Sequence, residues 1–318
     1  MDGPGKAEGR PRSAFAALAA IAASLVVVIG CGGARTAPTG TGGPSPLGAA
    51  SSAAATAAVA PSATPVVVSG HVDVGGHKLY YACFGDIADG APTVILEHGL
   101  GGDIGQWADV VPAVSGRTRV CAYDRANIRG SDTVDGTRTV ADSVADLHAF
   151  LGQVAAPGPW IFVGYSWGGL IDQLYARQHP KDVAGLVLVD SNSPDESATY
   201  WKHLTPAQVQ EDKAATAGPN SENVDILRSF QLVKAAGPMP DVPLIVVTHT
   251  VSDPGEWPAG WDAKTFDGLQ AQLQAGLVHL TSKGRQVMAD GADHDIPGER
   301  PDVISAAILD VIDAVDRP

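Results

Sequence analysis

The chain has 318 residues, 45% of them hydrophobic and 18% charged, a balance that suits one large globular domain with room for extensions. Its formal net charge of −14 argues against nucleic acid as a partner, because an acidic surface repels the phosphate backbone. The acidity favours solubility and selects no substrate.

The first 65 residues stand apart from any core. Lys6, Arg10 and Arg12 form a basic head, residues 14–29 an apolar stretch, and Val28-Ile29-Gly30-Cys31 closes it. That stretch is short and alanine-rich for a spanning helix. Residues 1–31 resemble a bacterial lipoprotein signal peptide, in which Cys31 becomes the acylated first residue of the mature chain; an uncleaved N-terminal anchor is the other reading. Residues 32–65 are Gly, Ala, Pro, Ser and Thr almost throughout, with Arg35 the only charge. They predict a flexible tether with a reach of roughly 30 Å. The expected location is extracytoplasmic, with the domain 66–318 lipid-anchored to the bacterial cell membrane. Lys6, Arg10, Arg12 and Arg35 are four of the 21 bases and Asp2 and Glu8 two of the 35 acids, so that domain carries a net −16. With Cys31 lipidated, Cys83 and Cys121 remain as an even pair in an oxidising compartment, either a disulfide or two buried thiols.

From residue 66 onward strand-like and helix-like runs alternate, the pattern of a mostly parallel sheet with helices on both faces. Runs around Val72 and Tyr80, joined by Gly75-Gly76, predict a hairpin. Thr93 to Glu97 follows as a strand, then a helix near Trp107 to Val114, a strand through Cys121, and a helix over Val140 to Val154. The apolar run Trp160-Ile161-Phe162-Val163 leads into Gly164-Tyr165-Ser166-Trp167-Gly168, and Leu170 to Ala176 continues with helical spacing. A Gly-x-Ser-x-Gly segment between a strand and a helix reads as a nucleophile elbow. The turn is too sharp for side chains at Gly164 and Gly168, and it projects the Ser166 hydroxyl towards a base. Leu186 to Val189 and Leu244 to Val247 are further strands, separated by a more polar stretch that predicts a helical lid over about 191–242. A helix near Phe266 to Leu280, a short strand at Gln286 to Met288 and a helix from Val303 to Val315 complete the domain.

With these segments in place, the chain resembles the α/β-hydrolase family over nearly all of residues 70–318. The elbow is the first signal. His98-Gly99-Leu100-Gly101-Gly102 is similar to the family's His-Gly motif, which implies that the backbone N–H groups of Leu100 and Trp167 form the oxyanion hole and that His98 is structural. Tyr123-Asp124-Arg125-Ala126-Asn127-Ile128-Arg129-Gly130-Ser131 is similar to the Asp-Arg-x-Gly-x-Gly-x-Ser turn, with Asn127 and Arg129 in place of two glycines. Gly291-Ala292-Asp293-His294 is similar to the loop of the catalytic base. The resemblance implies an eight-stranded, mostly parallel sheet with a short helical lid, Ser166 as nucleophile and His294 as base. The triad acid is Asp253, after the seventh strand, or Asp190, at the end of the sixth. It also makes the second and fourth strands neighbours, within reach of a Cys83–Cys121 disulfide.

The implied reaction is acyl transfer to water through an acyl-serine, with no metal and no organic cofactor. A serine nucleophile disfavours the dehalogenase and epoxide-hydrolase branches, which use an aspartate. The expected substrate is a small-molecule carboxylic ester or a lipid. Amide or peptide hydrolysis of the proline-iminopeptidase kind, triad-based perhydrolysis, and a non-catalytic binding lipoprotein on the same fold are the alternatives. Tyr200, Trp201, His203, Leu227 and Phe230 either line the acyl pocket or dock the lid.

Overall fold

The computed structural model describes residues 67–86, 91–155, 157–252 and 257–316. Cys31, the tether 32–65 and Asp253 lie outside the described residues. Eight strands form one sheet: β1 (Val67–Asp73), β2 (Lys78–Phe84), β3 (Val94–Glu97), β4 (Val120–Tyr123), β5 (Trp160–Tyr165), β6 (Val183–Val189), β7 (Leu244–His249) and β8 (Gly284–Ala289). Their order is β1-β2-β4-β3-β5-β6-β7-β8. β2 pairs antiparallel with both β1 and β4, and β3 to β8 are parallel with β4. The hairpin turns at Gly75 and Gly76, with φ of 106° and 126°, where Asp73 Oδ1 accepts both N–H groups at 2.9 and 3.1 Å.

The helices are α1 (Val111–Val114), α2 (Val140–Val154), α3 (Trp167–Gln178), α4 (Glu196–Tyr200), α5 (Pro206–Thr216), α6 (Ile226–Ala235), α7 (Ala263–Leu277), α8 (Ile296–Glu299) and α9 (Pro301–Val315). A strand covered on both faces sends alternate side chains into two cores, which is why the central runs are apolar at nearly every position. Ile95, Cys121, Phe162 and Leu186 pack with α2, α3 and α6. Val94, Val120, Ile161 and Val187 pack with α1 and α9 on the other side. Each such side chain contributes about 1.5–3 kcal/mol on leaving water, so the sheet is a stiff platform for whatever stands at its strand ends.

The antiparallel register of β2 and β4 sets Cys83 opposite Cys121, and the two form a disulfide with Cα atoms 4.1 Å apart. Between β6 and β7 the insertion 191–242 carries α4, α5 and α6. α5 opens on Thr205-Pro206, where Thr205 N–H donates to Gln208 Oε1 at 3.0 Å and Gln208 N–H donates back to Thr205 Oγ1 at 3.3 Å. Phe230 is in the core beneath α2 and α3, and Tyr200 sits in an aromatic cluster with Phe266, Trp257 and Trp261, so these two dock the insertion. Trp201 Nε1 donates to Asp212 at 2.7 Å, Leu227 is half-buried and His203 exposed. Among the described residues no helix is long and apolar enough to cross a membrane.

Candidate active site

β5 ends at Tyr165 and α3 begins at Trp167, so Ser166 alone makes the turn between them. Its φ of 52° and ψ of −115° are unusual for a residue with a side chain and cost about 1–3 kcal/mol. Three backbone hydrogen bonds hold it there: Ser166 N–H donates to Val189 O at 3.0 Å, and Ser166 O accepts from the N–H groups of Gly169 and Asn192 at 3.1 Å each. A Cβ at Gly168 would overlap the carbonyls of Glu97 and His98, and one at Gly164 would overlap Asp172 and the backbone of Gly169. Both flanking glycines are thus required by close packing of the elbow against its neighbours.

His294 stands in the loop between β8 and α8, with Nε2 3.2 Å from Ser166 Oγ and Nδ1 2.5 Å from Asp190 Oδ2. An ionised carboxylate only accepts, so Nδ1 carries the hydrogen and Nε2 presents its lone pair to the serine hydroxyl. Asp190, at the end of β6 with φ of 40°, is 1% exposed. Burial pushes its carboxyl up, but hydrogen bonds from His249 and His294, and their charges, outweigh it and bring it down to about 2. The Tyr165 ring lies against the imidazole of His294, with centroids 5.1 Å apart. In the described structure, therefore, the carboxylate on the second nitrogen of His294 belongs to Asp190.

His249 went unnoticed in the sequence. It ends β7, the strand beside β6, and its Nδ1 donates to the same Asp190 Oδ2 at 2.7 Å. The signal for it was topological: a histidine closing the neighbouring strand stands one residue beyond the level of Asp190. Asp190, His249 and His294 also have the composition of a metal site. Here both Nδ1 atoms are occupied as donors to the carboxylate, which is a hydrogen-bonding arrangement and not a ligating one. A second such group, His148, His179 and Asp182, has its two imidazoles stacked at 4.2 Å and 10°, so their in-plane lone pairs do not converge on one ion.

The loop after β3 lies beside the elbow. Gly99 N–H donates to Gln106 Oε1 at 3.0 Å, Gly101 N–H to Glu222 Oε1 at 2.8 Å and Gly102 N–H to Gly99 O at 3.1 Å. Among the described residues, the N–H groups of Leu100 and Trp167 have no protein acceptor. His98 is buried; its Nε2 accepts from Arg125 N–H at 3.3 Å and its Nδ1 donates to Gly99 O at 2.8 Å. Burial, with the Arg125 charge, drives it down to about 3, so it stays neutral and holds backbone. The turn after β4 keeps its shape without the two glycines, because Asn127 and Arg129 adopt φ of 73° and 32° and Asn127 Oδ1 accepts from Val134 N–H at 2.8 Å.

A family model described as the alpha/beta hydrolase fold matches residues 92–232, which hold β3, the elbow and Asp190. The chain has the α/β-hydrolase fold. This hydrolase is 23% identical over 222 residues to the uncharacterized protein YqjL of Bacillus subtilis (strain 168), covering 69% of this chain and 83% of the relative. It is 26% identical over 252 residues to a pimeloyl-[acyl-carrier protein] methyl ester esterase of Edwardsiella ictaluri (strain 93-146), covering 70% of this chain and 94% of that one. Several other curated relatives are matched over less than half of their own length. Among solved structures, the enol-lactonase of Burkholderia xenovorans LB400 superposes with a TM-score of 0.56 at 20% identity, over 77% of this hydrolase and all of that chain, a likeness of fold.

Proposed function

We propose that this α/β hydrolase transfers an acyl group from a carboxylic ester to water through an acyl-enzyme on Ser166. The supporting observation is the chain of hydrogen bonds from Ser166 Oγ to His294 Nε2 at 3.2 Å and from His294 Nδ1 to Asp190 Oδ2 at 2.5 Å. In this reading His294 takes the hydroxyl proton as Ser166 attacks the ester carbonyl carbon, and Asp190 stabilises the imidazolium that forms. The N–H groups of Leu100 and Trp167 hold the oxyanion of the tetrahedral intermediate. Collapse expels the alcohol, which takes its proton from His294; water activated by the same imidazole then attacks the acyl-serine and frees the acid. Ester chemistry is the preferred class because the relatives named above include an esterase and a lactonase.

Fluorophosphonate labelling of residues 66–318 tests this, with the adduct located by mass spectrometry. Labelling at Ser166 that disappears in Ser166→Ala and His294→Ala is the expected result. A folded wild type that takes no label would abandon hydrolysis in favour of a binding role. We further propose that Cys31 carries the lipid that holds the enzyme at the membrane, on the strength of the leader sequence. Detergent-phase partitioning of the full chain should be lost in Cys31→Ala; retention by that variant would point to an uncleaved anchor.

A further inference from the structure

Leu100 lies in a loop without regular secondary structure, yet its amide must point in one direction to be useful. In a planar trans peptide the carbonyl of one residue and the N–H of the next point opposite ways, so fixing Gly99 O fixes Leu100 N–H. Gly99 O accepts three hydrogen bonds, from Arg125 Nη2 at 2.9 Å, from His98 Nδ1 at 2.8 Å and from Gly102 N–H at 3.1 Å. Arg125 Nη1 donates to the preceding carbonyl, His98 O, at 2.7 Å. On the far side of Leu100, Gly101 N–H is held by Glu222 Oε1 at 2.8 Å.

Glu222 also holds the arginine. Arg125 Nε donates to Oε2 and Nη2 to Oε1, both at 2.7 Å, a two-pronged ion pair with both residues buried. Glu97 Oε2 lies 3.3 Å from Nη1 as a weaker third partner. Burial alone would push the Glu222 carboxyl up, and Arg125 reverses this and lowers it, so the pair stays charged. Glu222 itself belongs to the insertion, on a turn where Asn220 Oδ1 accepts from the N–H groups of Glu222 and Val224 at 3.2 and 3.0 Å. That turn is tied to the start of α2 by Arg138 N–H to Asn223 O and Asp225 N–H to Arg138 O, both at 2.8 Å.

We propose that Arg125 and Glu222 are positioning residues for the oxyanion hole: the guanidinium locks the Gly99–Leu100 peptide so that Leu100 N–H faces Ser166, and Glu222 brings the insertion into that task. This rests on the serine-hydrolase reading for its kinetic consequence and on geometry alone for the lock. A buried charged pair used only for stability would affect melting and leave turnover of the folded enzyme alone.

Glu222→Gln is the informative change, since it keeps an acceptor for Gly101 N–H and removes the charge and one prong of the pair; Arg125→Lys keeps the charge and loses the fork. With p-nitrophenyl butyrate, kcat of each folded variant should fall roughly 10–100-fold with KM within about twofold, less than the loss of an entire oxyanion donor. Binding of a trifluoromethyl ketone, which forms a tetrahedral adduct on the serine, should weaken by the same factor. Glu222→Ala should lose more than Glu222→Gln. Amide hydrogen exchange over residues 98–102 should quicken in Glu222→Gln while residues 164–169 keep their wild-type rate. Unchanged exchange in the loop, or folded variants with wild-type kcat and ketone affinity, would overturn the proposal. A wild type inert to ester and fluorophosphonate would instead sink the hydrolase reading, and the exchange measurement would still decide the lock.

Discussion

Asp190→Asn is expected to lower kcat by about 10⁴-fold with little change in folding, the size seen when the triad acid of a serine hydrolase is made neutral. Asp190 Oδ2 is the acceptor for His294 Nδ1, so the carboxylate selects the tautomer whose Nε2 is free to take the Ser166 proton. An amide in its place offers its own N–H to Nδ1. The hydrogen then moves to Nε2, and the imidazole points a donor at the serine. Because Asp190 is ionised down to about pH 2, its contribution is present across the whole working range. The comparison with Asp253→Asn is decisive: a loss of less than tenfold for Asp190→Asn together with a large loss for Asp253→Asn would transfer the role. His249→Gln should cost far less than Asp190→Asn, since it leaves the Asp190–His294 bond in place.

Glu196→Gln is expected to stabilise the protein by about 3 kcal/mol at pH 8.5 and to change nothing at pH 4.5. Glu196 opens α4, is buried, and accepts from Asn192 Nδ2 at 2.8 Å. Burial raises its carboxyl to about 7 against an ordinary 4.5, and the Asn192 bond and the nearby His294 offset only part of that. The folded state thus binds the proton more tightly than the unfolded chain. Stability from this group is intact below pH 4.5, falls as pH rises through the interval, and is fully lost above 7. Glutamine has the same shape without the ionisation. Urea unfolding of both proteins at the two pH values reads the difference directly, and a gap independent of pH would show that Glu196 titrates normally.

How much of this was legible in the sequence depended on how local each feature is. Gly164, Ser166 and Gly168 lie within one turn, and the Gly164 collisions with Asp172 and Gly169 belong to that turn, whereas those at Gly168 involve Glu97 and His98 at the end of the neighbouring β3. The unbroken apolar runs that define the central strands are likewise a short-range property. The proposed oxyanion donors, the amides of Leu100 and Trp167, were named for the same reason, each lying next to a recognisable motif. The disulfide needed one piece of topology, the pairing of β2 with β4, which puts Cys83 opposite Cys121.

Other features depend on which strand ends meet. Asp190 and Asp253 both satisfy chain order, and only the placement of β6 between β5 and β7 brings Asp190 to His294, 104 residues away. His249 joins them because β7 ends beside β6. The Arg125–Glu222 pair spans 97 residues and unites a turn after β4 with the insertion. No spacing rule connects such positions, because burying a charge is tolerable only where a particular partner is already within hydrogen-bond reach. The amino-acid sequence by itself determined the elements and the strand–Ser166–helix order of the elbow, since those rest on periodicity and turn sterics. The tertiary structure alone decided which described carboxylate meets His294 and what holds the loop after β3, because both are contacts between segments that only packing brings together.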